Sequence, residues 1–318
     1  MVLRKVVALS CALAFIIGTS QFVSMDAKAG SDEIAVLLPE SDGVVVMDSK
    51  RLVFDALPQI LSSNMPLLEK INGEIDKLKD KSGLDLRKFD SVAVGLKSKV
   101  EDSGGTEFDA VLLARGLEPI GSLKEVADTA SKGKYRTVKS GTRTIYVFSS
   151  KNLIKEKTNG AIEGSFVGKI FEKLFKGFSE EIAITAFDSN TVAFGSLERV
   201  KAAIGNTPRI DGKLLALLER KPNSLANMGM FVPTGLSQYL ELEDDELGAN
   251  LNSIRQVQGA FDVIDGTTSL SVAARTLESN QAEELASTLQ AIRGLFAGIL
   301  KQNKNADKQV YGRMLENL

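Results

Sequence analysis

The stretch EIAITAFDSNTVAFGSLERVKAAI (181–204) carries the strongest folding signal in the chain. Two runs rich in Ile, Val, Thr and Phe flank Asp188-Ser189-Asn190, and this pattern predicts a β-hairpin closed by a polar turn. Apolar residues at helical spacing follow at 197–204. A hairpin that leads directly into a helix is typical of α+β proteins, in which helices cover an antiparallel sheet.

Similar signals recur along the chain. Alternating or continuous apolar runs between polar turns predict strands at 43–48, 89–97, 107–115, 135–139, 142–149, 181–187, 191–195, 225–232, 257–264 and 267–276. Helical spacing of apolar residues predicts helices at 50–61, 67–81, 122–131, 166–178, 197–204, 213–220, 236–240, 247–254 and 278–300. The two-residue turn Asp265-Gly266 is a strong hairpin signal.

The order of elements repeats, since each half reads strand, helical pair, hairpin, helix. FDSVAVGLKS and FDAVLLARGLEPIGSLKEVADTA in the first half match QGAFDVIDG and TSLSVAARTLESNQAEELASTLQAI in the second. We interpret this as a divergent internal duplication. The predicted fold is therefore α+β, with two similar antiparallel-sheet units, each with helices packed on one face.

The predicted first unit spans 30–222, with an insert at about 150–179, and the shorter second unit spans 223–318. A further hairpin follows the repeat in the first unit, at 135–149, whereas the second unit ends after a helix. If strands are missing there, the second sheet has an unpaired edge. Unpaired edges invite pairing with another chain.

The first 29 residues have the layout of a cleavable secretory signal peptide. Arg4 and Lys5 precede an apolar run at 6–18 that is shorter than the roughly 20 residues a membrane-spanning helix needs. Ala27-Lys28-Ala29 suits a signal peptidase, so the mature chain is expected to start at Gly30. Cys11 lies inside the apolar run instead of ending it, which disfavours a lipoprotein anchor. The expected location is the periplasm or the exterior.

The chain contains no histidine, and its one cysteine lies in the predicted signal peptide. Histidine is the commonest proton carrier near neutral pH and a common metal ligand. Its absence excludes Ser-His-Asp and Cys-His catalysis and HExxH metalloproteases, and a mature chain without cysteine forms no disulfide. Carboxylate pairs, Ser-Lys arrangements and oxygen-ligated calcium or magnesium remain. We expect a protein that is not an enzyme and uses no cofactor.

Charge and aromatic content disfavour nucleic acid as a partner. Lys and Arg number 39 against 41 Asp and Glu, aromatic residues make up 6% of the chain, and tryptophan is absent. Such a chain offers little bulk attraction for polyanions and few stacking platforms. Membrane contact is expected to be peripheral at most. The acidic run at 241–246 lacks the Asp and Gly spacing of a calcium loop, so no metal site is predicted.

Two segments are candidate binding sites. Basic residues cluster around the hairpin at 135–149, namely Lys134, Arg136, Lys139 and Arg143. They would suit an anionic polymer or lipid headgroups, although a solvated, lysine-protected strand edge is the favoured interpretation.

The helix predicted at 166–178 places Phe171, Leu174 and Phe175 on one apolar stripe opposite lysines. It could lie on a membrane or close over an apolar ligand. A surface helix that buries this stripe on the sheet is the commoner arrangement.

The segments LLPESDGVVVMDSKRLVFDALPQIL (37–61), SGLDLRKFDSVAVGL (82–96) and ITAFDSNTVAFGSLERVKAAI (184–204) resemble those of uncharacterised exported bacterial proteins with a duplicated α+β domain. The resemblance runs through most of the mature chain. It implies a bacterial envelope or secreted location, and it carries over no catalytic residue, because the matching motifs consist of turn and core residues.

Two functional hypotheses of different class follow. The first is an exported, non-enzymatic binding or structural protein of the bacterial envelope, whose partner is an unknown protein or another envelope component. The second is a periplasmic carrier of an apolar ligand or lipid, with the helix at 166–178 as its lid. A histidine-free hydrolase is a distant third, since acid–base catalysis relies so heavily on histidine.

Overall fold

A computed structural model describes residues 32–62, 64–82, 85–100, 106–116, 122–149, 181–218, 224–233, 252–277, 281–284 and 286–287. The strands are β1 (Gly43–Asp48), β2 (Ser91–Val100), β3 (Thr106–Arg115), β4 (Tyr135–Ser140), β5 (Arg143–Ser149), β6 (Glu181–Ala186), β7 (Thr191–Gly195), β8 (Ala226–Phe231), β9 (Ile254–Ile264) and β10 (Thr267–Thr276). The helices are α1 (Asp32–Ala35), α2 (Ser49–Arg51), α3 (Leu57–Ile60), α4 (Met65–Ser82), α5 (Leu123–Ser131), α6 (Leu197–Ile204) and α7 (Gly212–Leu215). A π-helical turn (Leu52–Ala56) joins α2 to α3, and a 3₁₀ turn (Leu86–Lys88) precedes β2.

Every strand expected from the sequence is present, and the mixed helix and strand content confirms the α+β class. The helices expected at 50–61, 67–81, 122–131 and 197–204 are also found. Ile254 begins β9, so the helix expected to reach that residue ends earlier. The predicted insert helix at 166–178 and the predicted helix at 236–240 lie outside the described residues.

The described strands form one antiparallel sheet, in the order β10-β9-β8-β1-β2-β3-β7-β6-β5-β4. The expectation of two separate sheets is therefore wrong. Strand β1 lies between β2 and β8, with Val45 opposite Val94 on one side and Met228 on the other. The first strands of the two halves thus cover each other's edge, and the sheet continues across the boundary that was predicted at 222/223.

The strand order is the same on the two sides of the β1–β8 pair. Strands β1, β2 and β3 follow one another outward on one side, and β8, β9 and β10 do so on the other. The positions that face each other across these strands are Val45, Val94 and Leu112 on the first side, and Met228, Gly259 and Val272 on the second. Beyond β3 the sheet continues into β7, whereas β10 is the last described strand on its side.

The described helices cover both faces of the sheet, so the expected one-sided cover is also wrong. Ile145 and Val147 of β5 join a core cluster with residues of α1 and α6, on what we call face A. Phe148, the next residue of β5, joins a second cluster with α5, on face B. Successive side chains of a strand point to opposite faces. The continuous apolar runs of the inner strands, such as Ile182 to Ile184, fit this two-sided burial.

Capping residues fix where the helices beside the sheet begin. Ser122 Oγ accepts a hydrogen bond from Glu125 N at the start of α5, and Ser196 Oγ accepts one from Arg199 N at the start of α6. Strand β7 passes very close to β3, since a Cβ on Gly195 would lie 2.5 Å from the Ala110 carbonyl oxygen. None of the described helices is long and apolar enough to span a bilayer.

Candidate functional site

Within the described part of the chain, seven charged side chains gather on face A, where the β2–β3 hairpin meets α6 and the loop before β1. We call it the hairpin-end cluster, and its members are Glu40, Asp42, Lys97, Lys99, Asp109, Glu198 and Arg199. Lys97 and Lys99 alternate along β2 and so share a face. Asp109 stands opposite Lys97 in the register of β2 and β3.

One side of the cluster ties the loop before β1 to strand β2. Asp42 accepts hydrogen bonds from Ser98 N at 2.8 Å and from Ser98 Oγ at 2.6 Å. Lys97 Nζ donates to Asp42 Oδ1 at 2.9 Å and to Glu40 Oε1 at 2.8 Å. These contacts join residues more than 50 positions apart in sequence.

The other side of the cluster ties helix α6 to the same loop. Arg199 donates to the Glu40 carbonyl oxygen and to Ser41 Oγ, both at 2.8 Å, although it is only 8% exposed. Lys99 Nζ lies 2.8 Å from Asp109 Oδ2 and 3.7 Å from Glu198 Oε2. Within the cluster, Arg199 Nε and Asp109 Oδ1 are buried without a hydrogen-bond partner.

The pKa values of Asp42, Lys97 and Lys99 in the cluster all shift away from neutral pH. Burial acts most strongly on Asp42 and would raise its pKa, but the hydrogen bonds from Ser98 and Lys97 together outweigh it, so the pKa falls below 3.8. The hydrogen bond to Glu40 is the largest influence that raises the pKa of Lys97, and the hydrogen bond to Asp109 does the same for Lys99. A general acid or base works best with a pKa near the operating pH. These groups therefore act as fixed charges.

Arg199 is a buried charge, and its pKa reflects both that burial and the carboxylates around it. Burial lowers the pKa of its guanidinium, and the negative charges of Asp109, Asp42 and Glu40 oppose that shift. A buried charge is tolerated when it is paired and hydrogen-bonded, and removing one partner of such a group is strongly destabilising. The cluster thus holds the loop before β1, the β2–β3 hairpin and α6 together.

The four residues of the predicted basic patch do not form one basic surface. Arg136 forms a two-point ion pair with Glu181 of β6, and Lys139 Nζ donates to Thr144 Oγ1 at 2.6 Å. Arg136 and Lys139 point to opposite faces, since they are three positions apart on β4. Lys134 is exposed just before the strand.

Arg143 has a structural role at the end of α6. Its guanidinium donates to the carbonyl oxygens of Ile204 and Phe187, both at 3.0 Å. Arg209 donates to the Ala203 carbonyl at 2.7 Å, and both guanidinium groups lie about 6 Å from the Phe187 ring centroid. Cations at a helix C-terminus donate hydrogen bonds to its last carbonyl oxygens and interact favourably with the helix dipole. Arg143 and Arg209 therefore hold the end of α6 on the β5–β6 region.

The predicted ligand-binding residues Phe171, Leu174 and Phe175 lie outside the described residues, as does the acidic run at 241–246. In the parts of the chain that the structure describes, no three His, Cys, Asp or Glu side chains gather in a way that would hold a metal ion.

The sequence interpretation missed the hairpin-end cluster because its members come from four separate segments. One signal was present. Arg199 and Ala203 are four positions apart, so a charged residue falls on the buried stripe of α6. An arginine on the apolar face of a short helix needs partners from elsewhere in the fold.

Comparison of the chain with family models, curated proteins and solved structures gives no match. The class of the protein is defined by its own fold, as an α+β protein built on a large antiparallel sheet.

Proposed function

We propose that this chain is an exported, non-enzymatic binding or structural protein of the bacterial envelope. The observation that carries the proposal concerns three residues of the hairpin-end cluster, whose hydrogen bonds and pKa shifts keep Asp42 ionised and keep Lys97 and Lys99 protonated. The most charged region of the described chain is thus committed to holding the fold together. With no histidine in the chain, proton transfer near neutral pH has few other carriers.

The proposed partner is a protein or another envelope component that meets the sheet at its surface or edge. Strands expose backbone groups at a sheet edge, and an added strand gains main-chain hydrogen bonds there. The ten described strands end in β10 on one side of the sheet and in β4 on the other, and these two strands differ in charge. The signal peptide predicted at 1–29 supports the location.

We also infer that the two sides of the sheet descend from a duplicated unit. Support comes from β3 and β10, where the sequence match and the strand registers give the same alignment. The sequence match places LLAR at 112–115 against VAAR at 272–275. The strand registers, followed outward from the β1–β8 pair, bring Leu112 and Val272 to equivalent positions.

The location and the role are tested together in a bacterial host. The full chain is expressed, the envelope fractions are separated, and the mature N-terminus is sequenced, with Gly30 expected as the first residue. Crosslinking in intact cells is expected to trap the protein with itself or with another envelope component. A chain that stays in the cytoplasm with residues 1–29 attached, or that forms no adduct in the envelope, contradicts the proposal.

The carrier hypothesis predicts a different result in the same preparation. Native mass spectrometry would then find a lipid or other apolar passenger that is lost in the double variant Phe171→Ser, Phe175→Ser. Phe54→Ser is the matched control, because Phe54 is 52% exposed on the π-helical turn. A passenger that depends on Phe171 and Phe175 would replace the proposal with the carrier.

A further inference from the structure

Strand β10 closes one end of the described sheet. Its inner side pairs with β9 from Thr267 to Thr276, and among the described strands none lies on its outer side. The equivalent strand on the other side of the sheet, β3, does have an outer neighbour. Strand β7 pairs antiparallel with β3 from Val111 to Arg115. The outer side of β10 is therefore the position that β7 occupies beside β3.

The two end strands of the sheet carry very different residues. Strand β4, at the far end, holds Arg136 and Lys139 within six residues. Charged side chains on an edge strand, lysine above all, oppose pairing with another strand. Strand β10 reads TTSLSVAART over ten residues, with Arg275 as its one charge and no proline. Its central residues, 269–274, include neither a charged residue nor a proline.

We propose that β10 pairs antiparallel with β10 of a second copy of the chain, with Val272 on the two-fold axis. The inference rests on the proposed function, since it names the partner that meets the sheet edge. Pairing about that axis joins two sheets into one through main-chain hydrogen bonds. The β1–β8 pair already joins the two sides of this chain in the same antiparallel manner.

The residues of β10 are self-complementary in this register. Val272, which is 8% exposed, faces its own copy, and Leu270 faces Ala274 of the second chain. All three lie on one face, because alternate residues of a strand share a face. On the other face Ser271 meets Ala273 of the second chain, so small side chains meet small side chains.

Charge supports a second copy as the occupant. Arg275 faces Ser269 of the other chain, so the two arginines lie at opposite ends of the paired segment, about 20 Å apart at 3.3 Å per residue. No like charges face each other along the pair. Strand β4, in contrast, carries Arg136 on one face and Lys139 on the other, and charged side chains on an edge strand oppose pairing with a second strand.

The test measures the mass of the purified full-length exported protein by light scattering after size-exclusion chromatography, over a range of concentrations. A dimer is expected. The double variant Ser271→Lys, Ala273→Lys places lysines directly opposite each other across the pair, and like charges in that position are destabilising. Its dissociation constant is expected to rise about tenfold or more.

A second double variant tests the register itself. Ser271→Glu with Ala273→Lys puts opposite charges across the pair at both of its halves, so the dimer is expected to return. Thr137→Lys on the exposed edge strand β4 is the matched control and is expected to leave the dimer unchanged. Circular dichroism and denaturation curves establish that each variant is folded.

A parent protein that is monomeric throughout, or a dimer that the lysine variant leaves intact, overturns the inference. Hydrogen exchange adds a second readout, since the central β10 amides are expected to exchange more slowly in the dimer than in the lysine variant. If photo-crosslinkers at positions 271 and 273 trap a different envelope protein on a monomer, self-pairing is wrong while the proposed binding role stands. A dimeric chain that stays in the cytoplasm with residues 1–29 attached gives the reverse result, because self-pairing then stands while the proposed envelope role is wrong.

Discussion

Strands β3 and β10 carry similar sequences in equivalent positions, yet their surroundings differ. Leu113 of β3 is fully buried in the face A core, whereas the equivalent residue of β10, Ala273, is exposed. Arg115 donates from Nε to Thr191 Oγ1 of β7 at 3.1 Å, whereas Arg275 is exposed. The comparison shows that local sequence makes each segment a strand, while neighbouring strands and helices decide how much stability each side chain contributes.

The largest difference is expected at the buried position. Leu113→Ala removes a fully buried side chain from the core and should lower the free energy of unfolding by about 3 kcal/mol. Ala273→Ser, at the equivalent exposed position, should change it by less than about 0.5 kcal/mol. Urea denaturation measures both. A similar loss of unfolding free energy in the two variants would contradict the difference in burial between positions 113 and 273.

The second largest loss of stability is expected when the hairpin-end cluster loses Arg199. Arg199→Met keeps much of the apolar stem but loses the hydrogen bonds to Glu40 and Ser41, and it should destabilise the protein by about 2 kcal/mol. Lys201→Met, on the exposed side of the same helix, should have little effect. Calorimetry compares the two variants. Equal melting temperatures for the two variants would mean that the hydrogen bonds of Arg199 do not stabilise the fold.

The pH dependence of stability should depend on the same hairpin. The pKa of Asp42 is lowered on folding, so its contribution is present above about 3.8 and is lost as the pH falls through the lower folded value. The pKa of Lys97 is raised, so its contribution is present below about 10.5 and is lost as the pH rises through the higher folded value. Stability is therefore expected to be flat between these limits as far as this pair is concerned.

Asp42→Asn should lower stability by about 1.5 kcal/mol at neutral pH and should flatten the acid limb of the profile. Asp55→Asn, at an exposed carboxylate of the π-helical turn, is the control and should leave the acid limb as it is. Denaturation curves between pH 2 and pH 7 measure the limb. An unchanged acid limb in Asp42→Asn would remove Asp42 as its source.

The smallest expected difference in the free energy of unfolding is between variants of Arg115 and Arg275. Arg115→Ala loses the hydrogen bond to Thr191 and a 3.9 Å contact with Asp188, and it should cost about 1 kcal/mol. Arg275→Ala should change the free energy of unfolding by less than about 0.5 kcal/mol at concentrations where the protein is monomeric. A larger loss for Arg275→Ala than for Arg115→Ala would reverse the comparison.

The strands were predictable because their signals are local. The hairpin at 181–195 and the turn Asp265-Gly266 were identified from turn residues and alternating side chains, and both are present, with Asp265 and Gly266 at positive φ as such a turn requires. The pairing of β1 with β8 was not predicted. Its partners are 179 to 187 residues apart, and no local pattern in either segment indicates which strand it will pair with.

The candidate site was harder to predict for the same reason. The patch interpretation grouped Arg136, Lys139 and Arg143 by proximity in sequence, but the strand alternation and the carbonyls at the end of α6 separate them. The hairpin-end cluster was assembled by the fold from residues that no single window contains. Arg199 on the buried stripe of α6 was the one local signal that pointed to it.

The sequence by itself determined the ten described strands, the helices at 50–61, 67–81, 122–131 and 197–204, the absence of histidine chemistry and the expectation of export. Each of these depends on residue types or on patterns a few residues long. Only the tertiary structure decided that the strands share one sheet, that helices cover both of its faces, and that the buried charges of face A hold one another. Those features depend on contacts between distant segments, whose choice is fixed by burial and by pairing of edges across the whole chain.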